Sequence, residues 1–128
     1  MEKRIIIAGS RTFTNDWLVS KTLDAYLLEQ DDDVNVTIIS GGARGADALG
    51  ERYAAMRGFP VIRMPADWEQ FGRAAGPIRN EQMAMKSIEG GAVGVLFAFW
   101  DGVSRGTASM IRHAKAYVLE VHVIRTNG

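Results

Sequence analysis

The chain alternates between short apolar runs rich in β-branched residues and longer stretches in which apolar residues recur every three or four positions. Five runs stand out: Arg4 to Ala8, Val36 to Ser40, Pro60 to Met64, Val93 to Ala98 and Leu119 to Ile124. Their unbroken hydrophobicity predicts strands buried on both faces, because a strand with one wet face would alternate instead. Between them the spacing turns helical. Val19, Leu23, Tyr26 and Leu27 form one stripe behind a predicted N-cap at Asp16, and Ala46, Leu49, Tyr53 and Met56 form a second that Gly58 and Pro60 terminate. A third helix is predicted to open at Pro77 and close at Gly90-Gly91, and a fourth carries Thr107, Met110, Ile111 and Ala114 on one side.

The resulting order is βαβαβαβαβ. Parallel neighbours need right-handed crossovers of about a dozen residues or more, and here every connection holds a helix. The pattern therefore predicts a three-layer, doubly wound α/β sandwich, a five-stranded parallel sheet in the order 3-2-1-4-5, as one domain over residues 1–128.

Composition narrows the chemistry. At 128 residues the chain is long enough for a substantial core, and with 47% hydrophobic and 23% charged residues it has the balance of a folded globular domain. Fifteen Lys and Arg balance fifteen Asp and Glu, so any anion-binding field must be local rather than global. The absence of cysteine excludes disulfides, thiolate nucleophiles and Cys-ligated metal centres. The start MEKRIIIAGSR lacks a secretory hydrophobic region and no apolar stretch of about 18 residues occurs, which predicts a cytoplasmic protein without membrane contact. The acidic run Asp31 to Asp33 reads as a solvated loop.

Ligands of open α/β sheets bind beyond the carboxyl ends of the strands, which directs attention to the residues just after each run. Strand 1 is followed by Gly9-Ser10-Arg11-Thr12, strand 2 by Gly41-Gly42-Ala43-Arg44-Gly45-Ala46-Asp47, and strand 4 by a segment from Phe99 and Trp100 through Asp101, Ser104, Arg105 and Gly106 to Thr107. The strand 3 loop adds Asp67, Trp68 and Arg73, and the third helix begins with Arg79 and Asn80. Arg11, Arg44, Arg73, Arg79 and Arg105, five of the eleven arginines, are thus predicted on one edge of the sheet. Glycine permits close backbone approach, helix N-termini offer free N–H groups, and arginine supplies bidentate donors, a set suited to phosphate or carboxylate. Trp68 and Trp100 are candidates to stack on a base, and Asp47 and Asp101 to accept a ribose hydroxyl or serve as general acid or base. The same glycines would also serve a tight turn, Asp47 would also suit the first turn of a helix, and the tryptophans could equally cap the core. Neither G-x-G-x-x-G nor G-x-x-x-x-G-K-[ST] occurs, which disfavours a dinucleotide dehydrogenase and a P-loop NTPase. His113 and His122 have no partner at metal-ligand spacing, and Ser10, Ser40 and Ser104 have no histidine at the same edge, so neither a metal nor a Ser-His-Asp triad is expected.

Four ordered motifs, IIIAGSRTF, IISGGARGADALG, DWEQFGRAAGPIRN and FWDGVSRGTASMIRHA, resemble the SLOG superfamily, the Rossmann-like group that joins the bacterial DNA-processing family to the LOG phosphoribohydrolases. The small YspA-type branch is the most similar. The resemblance implies a pocket for a nucleotide or nucleotide-derived ligand lined by Gly9, Ser10, Arg11, Gly41, Gly42, Arg44, Gly45, Asp47, Arg79, Asn80, Ser104, Arg105, Gly106 and Thr107. LOG enzymes cleave the N-glycosidic bond of a nucleoside monophosphate through P-G-G-x-G-T and a following Glu, whereas this chain has Val103-Ser104-Arg105-Gly106-Thr107-Ala108-Ser109-Met110 at that place. The expectation is therefore a binding module, a sensor or sequestering domain with no cofactor. Its alternatives are a nucleotide N-glycosidase-like hydrolase using Asp47 or Asp101, or a single-stranded nucleic-acid binder like the DNA-processing family. Homo-oligomerisation is common among related folds.

Overall fold

A computed structural model describes residues 1–127. Strands β1 (Glu2–Gly9), β2 (Asn35–Ser40), β3 (Val61–Arg63), β4 (Val93–Trp100) and β5 (Glu120–Arg125) form one all-parallel sheet in the order β3-β2-β1-β4-β5, as the apolar pattern predicts. Helices α1 (Asp16–Leu28) and α2 (Ala46–Arg57) cover one face, and α4 (Ala75–Ser87) and α5 (Arg105–Ala116) the other. Alternation along the central strand divides the core in two. Ile5 and Ile7 join Ile38, Val95 and Phe97 beneath α1 and α2, while Ile6 and Ala8 join Ile39, Leu96 and Ala98 beneath α4 and α5. Each fully buried aliphatic side chain contributes on the order of 1.5–3 kcal/mol, enough in aggregate to fix strand register.

Local chemistry moves several element ends from where the pattern sets them. The N-cap of α1 is Asn15, whose side-chain oxygen accepts the Leu18 N–H at 3.0 Å, and Asp16 becomes the first helical residue. Helix α4 starts at Ala75, not Pro77. Proline is tolerated there because N–H groups in the first helical turn have no intrahelical acceptor. Gly90 and Gly91 lie beyond its end in a 3₁₀ turn. Strand β3 shortens to three residues at the sheet edge, where the Pro60 carbonyl still accepts the Ile38 N–H at 3.0 Å. Between β3 and α4 lies a helix the pattern does not predict, α3 (Trp68–Phe71), capped by the Asp67 side chain, which accepts the Gln70 N–H at 3.1 Å.

The chain leaves β1 for the α1 and α2 face and leaves β4 for the α4 and α5 face. Adjacent strands whose crossovers diverge open a crevice between them, and this one faces the carboxyl ends of β1 and β4. Among the described residues, no helix is long and apolar enough to cross a membrane, and no group of three or more His, Asp or Glu side chains could hold a metal ion.

Candidate functional site

A cavity of about 590 Å³ occupies this crevice and runs between α4 and α5. Its floor is Ala8 at the end of β1 together with Met83 of α4 and Met110 of α5. The β1 loop (Gly9, Ser10, Arg11, Thr12) forms one side, the start of α5 (Ser104, Arg105, Gly106, Thr107) the opposite side, and Ala43, Arg44 and Asp47 the approach to α2. Trp68 of α3 and Gly76, Pro77, Arg79 and Asn80 of α4 close the remaining wall.

The two loops that build the site are held in different ways. In the β1 loop, the Ser10 carbonyl accepts N–H bonds from Phe13 at 3.2 Å and Ala46 at 3.3 Å, tying the loop to the first residue of α2. Gly45 makes this contact close. It has φ +80°, and a Cβ there would lie 2.3 Å from the Ser10 carbonyl oxygen and 2.6 Å from Arg11 backbone atoms. Gly41 is needed for a different approach: a Cβ there would come within 2.3 Å of an Arg79 guanidinium nitrogen, which donates to the Gly41 carbonyl at 2.7 Å. Gly42 donates its N–H to the buried Ser40 hydroxyl, which in turn donates to Glu51. Gly41, Gly42 and Gly45 therefore lie behind the cavity wall and shape it, while Gly9, Ala43 and Arg44 face it.

On the other side, Ser104 caps α5 and its side chain accepts the Thr107 N–H at 3.4 Å. Asn80 joins α4 to this turn. Its side chain is buried and donates to the Gly106 carbonyl at 3.3 Å and the Ser109 hydroxyl at 3.2 Å, and it accepts from Arg79 Nε at 3.2 Å.

Charge is distributed unevenly. Five arginines line the cavity, Arg11, Arg44, Arg79, Arg105 and Arg112. Among the described residues none of these has a carboxylate oxygen within 4.0 Å; of the six arginines outside the cavity, Arg4, Arg52, Arg57 and Arg63 each do, and Arg73 and Arg125 do not. The lining contains a single carboxylate, Asp47. Burial raises its pKa above the ordinary aspartate range, against the opposing influence of the Ala43 N–H it accepts at 3.2 Å and the nearby Arg79 charge. Burial likewise lowers the pKa of Arg79, although Asp47 opposes it, and a guanidinium remains protonated regardless.

Of the residues singled out in the sequence, Gly9, Ser10, Arg11, Arg44, Asp47, Trp68, Arg79, Asn80, Ser104, Arg105, Gly106 and Thr107 converge on this one cavity. Trp68 is half exposed, with the Arg11 guanidinium 5.7 Å from its ring centroid. Trp100 and Asp101 lie outside. The Trp100 indole donates to the Ser104 carbonyl at 3.1 Å and packs against the α4 and α5 core, and Asp101 accepts the Val103 and Ser104 N–H groups at 2.8 Å. Those amides hold the Asp101 carboxyl below its ordinary pKa. Arg73 is exposed on the turn before α4 and does not reach the cavity. Conversely Arg112, Ser109 and Met83 line it without having been singled out. The signal for Arg112 was its seven-residue spacing from Arg105, two helical turns on one face.

Residues 3–71, from β1 through α3, match the family model YAcAr, described as the YspA, cpYpsA-related SLOG family. The chain belongs to this family. A relative of this SLOG protein, the gene 61 protein of Mycobacterium phage D29, is 36% identical over 118 residues, which is 88% of this chain and 89% of that protein. No solved structure gives a significant match. The matched span contains the β1 loop, the glycine-rich loop and Trp68; the α4 and α5 walls follow it in sequence.

Proposed function

We propose that this SLOG protein binds a nucleotide or nucleotide-derived phosphorylated ligand in the cavity between β1, α2, α4 and α5, acting in the cytoplasm as a sensor or sequestering module. Family membership supports a nucleotide-related ligand as the general class. The observation that carries the reading is the set of five arginines without carboxylate partners around one cavity. Guanidiniums gathered together repel one another, and a shared anion offsets that repulsion; Arg79 already donates to the Gly41 carbonyl and the Asn80 side chain, so the anion gains most from the other four. The volume lies within the range of about 300–1,000 Å³ usual for small-molecule pockets. Each charge-assisted hydrogen bond to phosphate contributes about 1.5–3 kcal/mol, and the apolar floor with the exposed Trp68 face supplies surface for a base. Isothermal titration with nucleotides, ADP-ribose and cyclic dinucleotides tests this. At least one should bind, and Arg44→Ala and Arg105→Ala should each weaken it tenfold or more. Retention of wild-type affinity in both variants would remove the reading.

Asp47 favours a second reading, processing of the bound nucleotide. It is the cavity's one carboxylate, and its raised pKa suits a proton donor or acceptor. Release of free base or ribose phosphate that stops in Asp47→Asn would support it, and ligand left intact after prolonged incubation with stoichiometric protein would exclude it. A single-stranded nucleic-acid partner would instead reveal itself by affinity falling with salt at a slope of about −0.7 per phosphate contacted.

A further inference from the structure

Resting on the reading that the cavity takes a phosphorylated nucleotide, we infer that its preferred ligand carries at least two phosphoryl groups, and that Arg112 is the residue that recognises the second. Two observations point this way. The first is charge. The lining holds five arginines and a single carboxylate, a formal surplus of four positive charges, with the Arg79 guanidinium held by neutral acceptors, the Gly41 carbonyl and the Asn80 side chain. One phosphoryl group brings about −1.5 to −2 at neutral pH and balances only about half of that surplus.

The second observation is extent. Arg105 and Arg112 stand on the same face of α5 seven residues apart, about 10 Å along the helix axis at 1.5 Å per residue. Arg105 sits in the first turn of α5, which follows the carboxyl end of β4, and Arg11 and Arg44 line the cavity from the loops that follow the carboxyl ends of β1 and β2. Arg112 lies two turns further along the helix, where Ser109 and Met83 also line the cavity. No carboxylate within 4.0 Å neutralises it among the described residues, and it is exposed, so it serves no evident packing purpose. A compact monophosphate at the loop end would leave Arg112 unmatched, whereas a nucleotide with a diphosphate, a second phosphate on the ribose or a second linked nucleotide would extend along α5 toward it.

The test measures affinity ratios by isothermal titration. Adenosine and guanosine 5′-monophosphates are compared with the corresponding 5′-diphosphates, 3′,5′-bisphosphates and cyclic dinucleotides, using the full chain and its Arg112→Ala and Arg112→Lys variants. At least one ligand with two phosphoryl groups should bind tenfold or more tightly than the monophosphate of the same base, equivalent to about 1.4 kcal/mol. That ratio should collapse toward one in Arg112→Ala and be partly restored in Arg112→Lys. Thermal melts of the variants, which alter an exposed side chain, verify folding. A ratio near one in the wild type, or a high ratio that persists in Arg112→Ala, overturns the inference and leaves the proposed function standing. Failure of every ligand to bind overturns both.

Discussion

Replacing Gly45 by alanine tests whether the glycine-rich loop shapes the site from behind. The residue sits at φ +80° and ψ −130°, a combination that costs a non-glycine residue on the order of 1–3 kcal/mol. The added methyl would also fall 2.3 Å from the Ser10 carbonyl oxygen, and the atoms in its way are backbone, which cannot rotate aside. The β1 loop must then lift from α2, weakening the Phe13 and Ala46 bonds to that carbonyl at about 0.5–1.5 kcal/mol each. We expect a total destabilisation of about 2–4 kcal/mol, which for a chain of this size lowers the melting temperature on the order of 10 °C. Urea denaturation followed by circular dichroism reads it as a lower midpoint at unchanged slope. Gly106→Ala is the matched control. Gly106 lies in the first turn of α5 at ordinary φ, and its added methyl meets nothing within 4 Å, so stability should hold or rise slightly. Because Arg11 moves with the displaced loop, Gly45→Ala should also weaken nucleotide binding at least tenfold. Gly45→Ala within about 0.5 kcal/mol of wild type, the usual range for inert surface changes, would refute this account of the loop.

Asn80→Ala should cost about 1–3 kcal/mol in chemical denaturation, because the Gly106 carbonyl and Ser109 hydroxyl lose a buried donor, and it should weaken nucleotide binding by releasing Arg79. For Asp47 the sign follows from its raised pKa. Its contribution to stability is fully present below the ordinary aspartate value of 3.8 and is lost as pH rises through the higher folded value. Asp47→Asn cannot ionise, so relative to wild type it should be more favourable at neutral than at acid pH in paired urea titrations. A difference independent of pH would contradict the burial of this carboxyl. The two tryptophans should separate cleanly: Trp68→Ala is expected to reduce nucleotide affinity with little change in melting temperature, and Trp100→Ala to lower the melting temperature first.

The architecture was legible because a parallel sheet covered on both faces imposes unbroken apolar runs, and those runs recur with helical spacing between them. Finer features were set by contacts a linear pattern does not contain. Met56 was expected in the buried stripe of α2 but is 67% exposed, and Gly50 is buried in its place. The reason lies across the interface: a Cβ on Gly50 would approach Ile7 to 3.0 Å, so α2 turns its smallest residue toward β1. Helix α3 is four exposed residues long, too short to generate a period. At the site, residues following β1 and β2 were readable because strand ends position ligands, but Arg112 lies deep within a helix, beyond the segment that rule inspects. Trp100 ends β4 and Asp101 follows it, yet their polar atoms are taken up locally by the turn into α5.

A neutral chain builds a cationic cavity by controlling which charges meet. Arg4, Arg52, Arg57 and Arg63 have carboxylate partners around the rest of the surface, and the acidic residues 31–33 lie in the connection after α1, which leads back to the amino end of β2. Overall charge therefore remains zero while the cavity lining retains a surplus. The arrangement has a kinetic consequence. With no net charge to attract anions from afar, steering of the proposed ligand would begin only within roughly a Debye length, about 8 Å at physiological ionic strength, so its selectivity would come from contacts inside the cavity more than from long-range capture. Each lining guanidinium is correspondingly valuable. Removing one carboxylate partner elsewhere, as in Asp24→Asn beside Arg57, should leave ligand affinity nearly unchanged even though it shifts the net charge by the same amount as Arg44→Ala shifts it in the opposite direction.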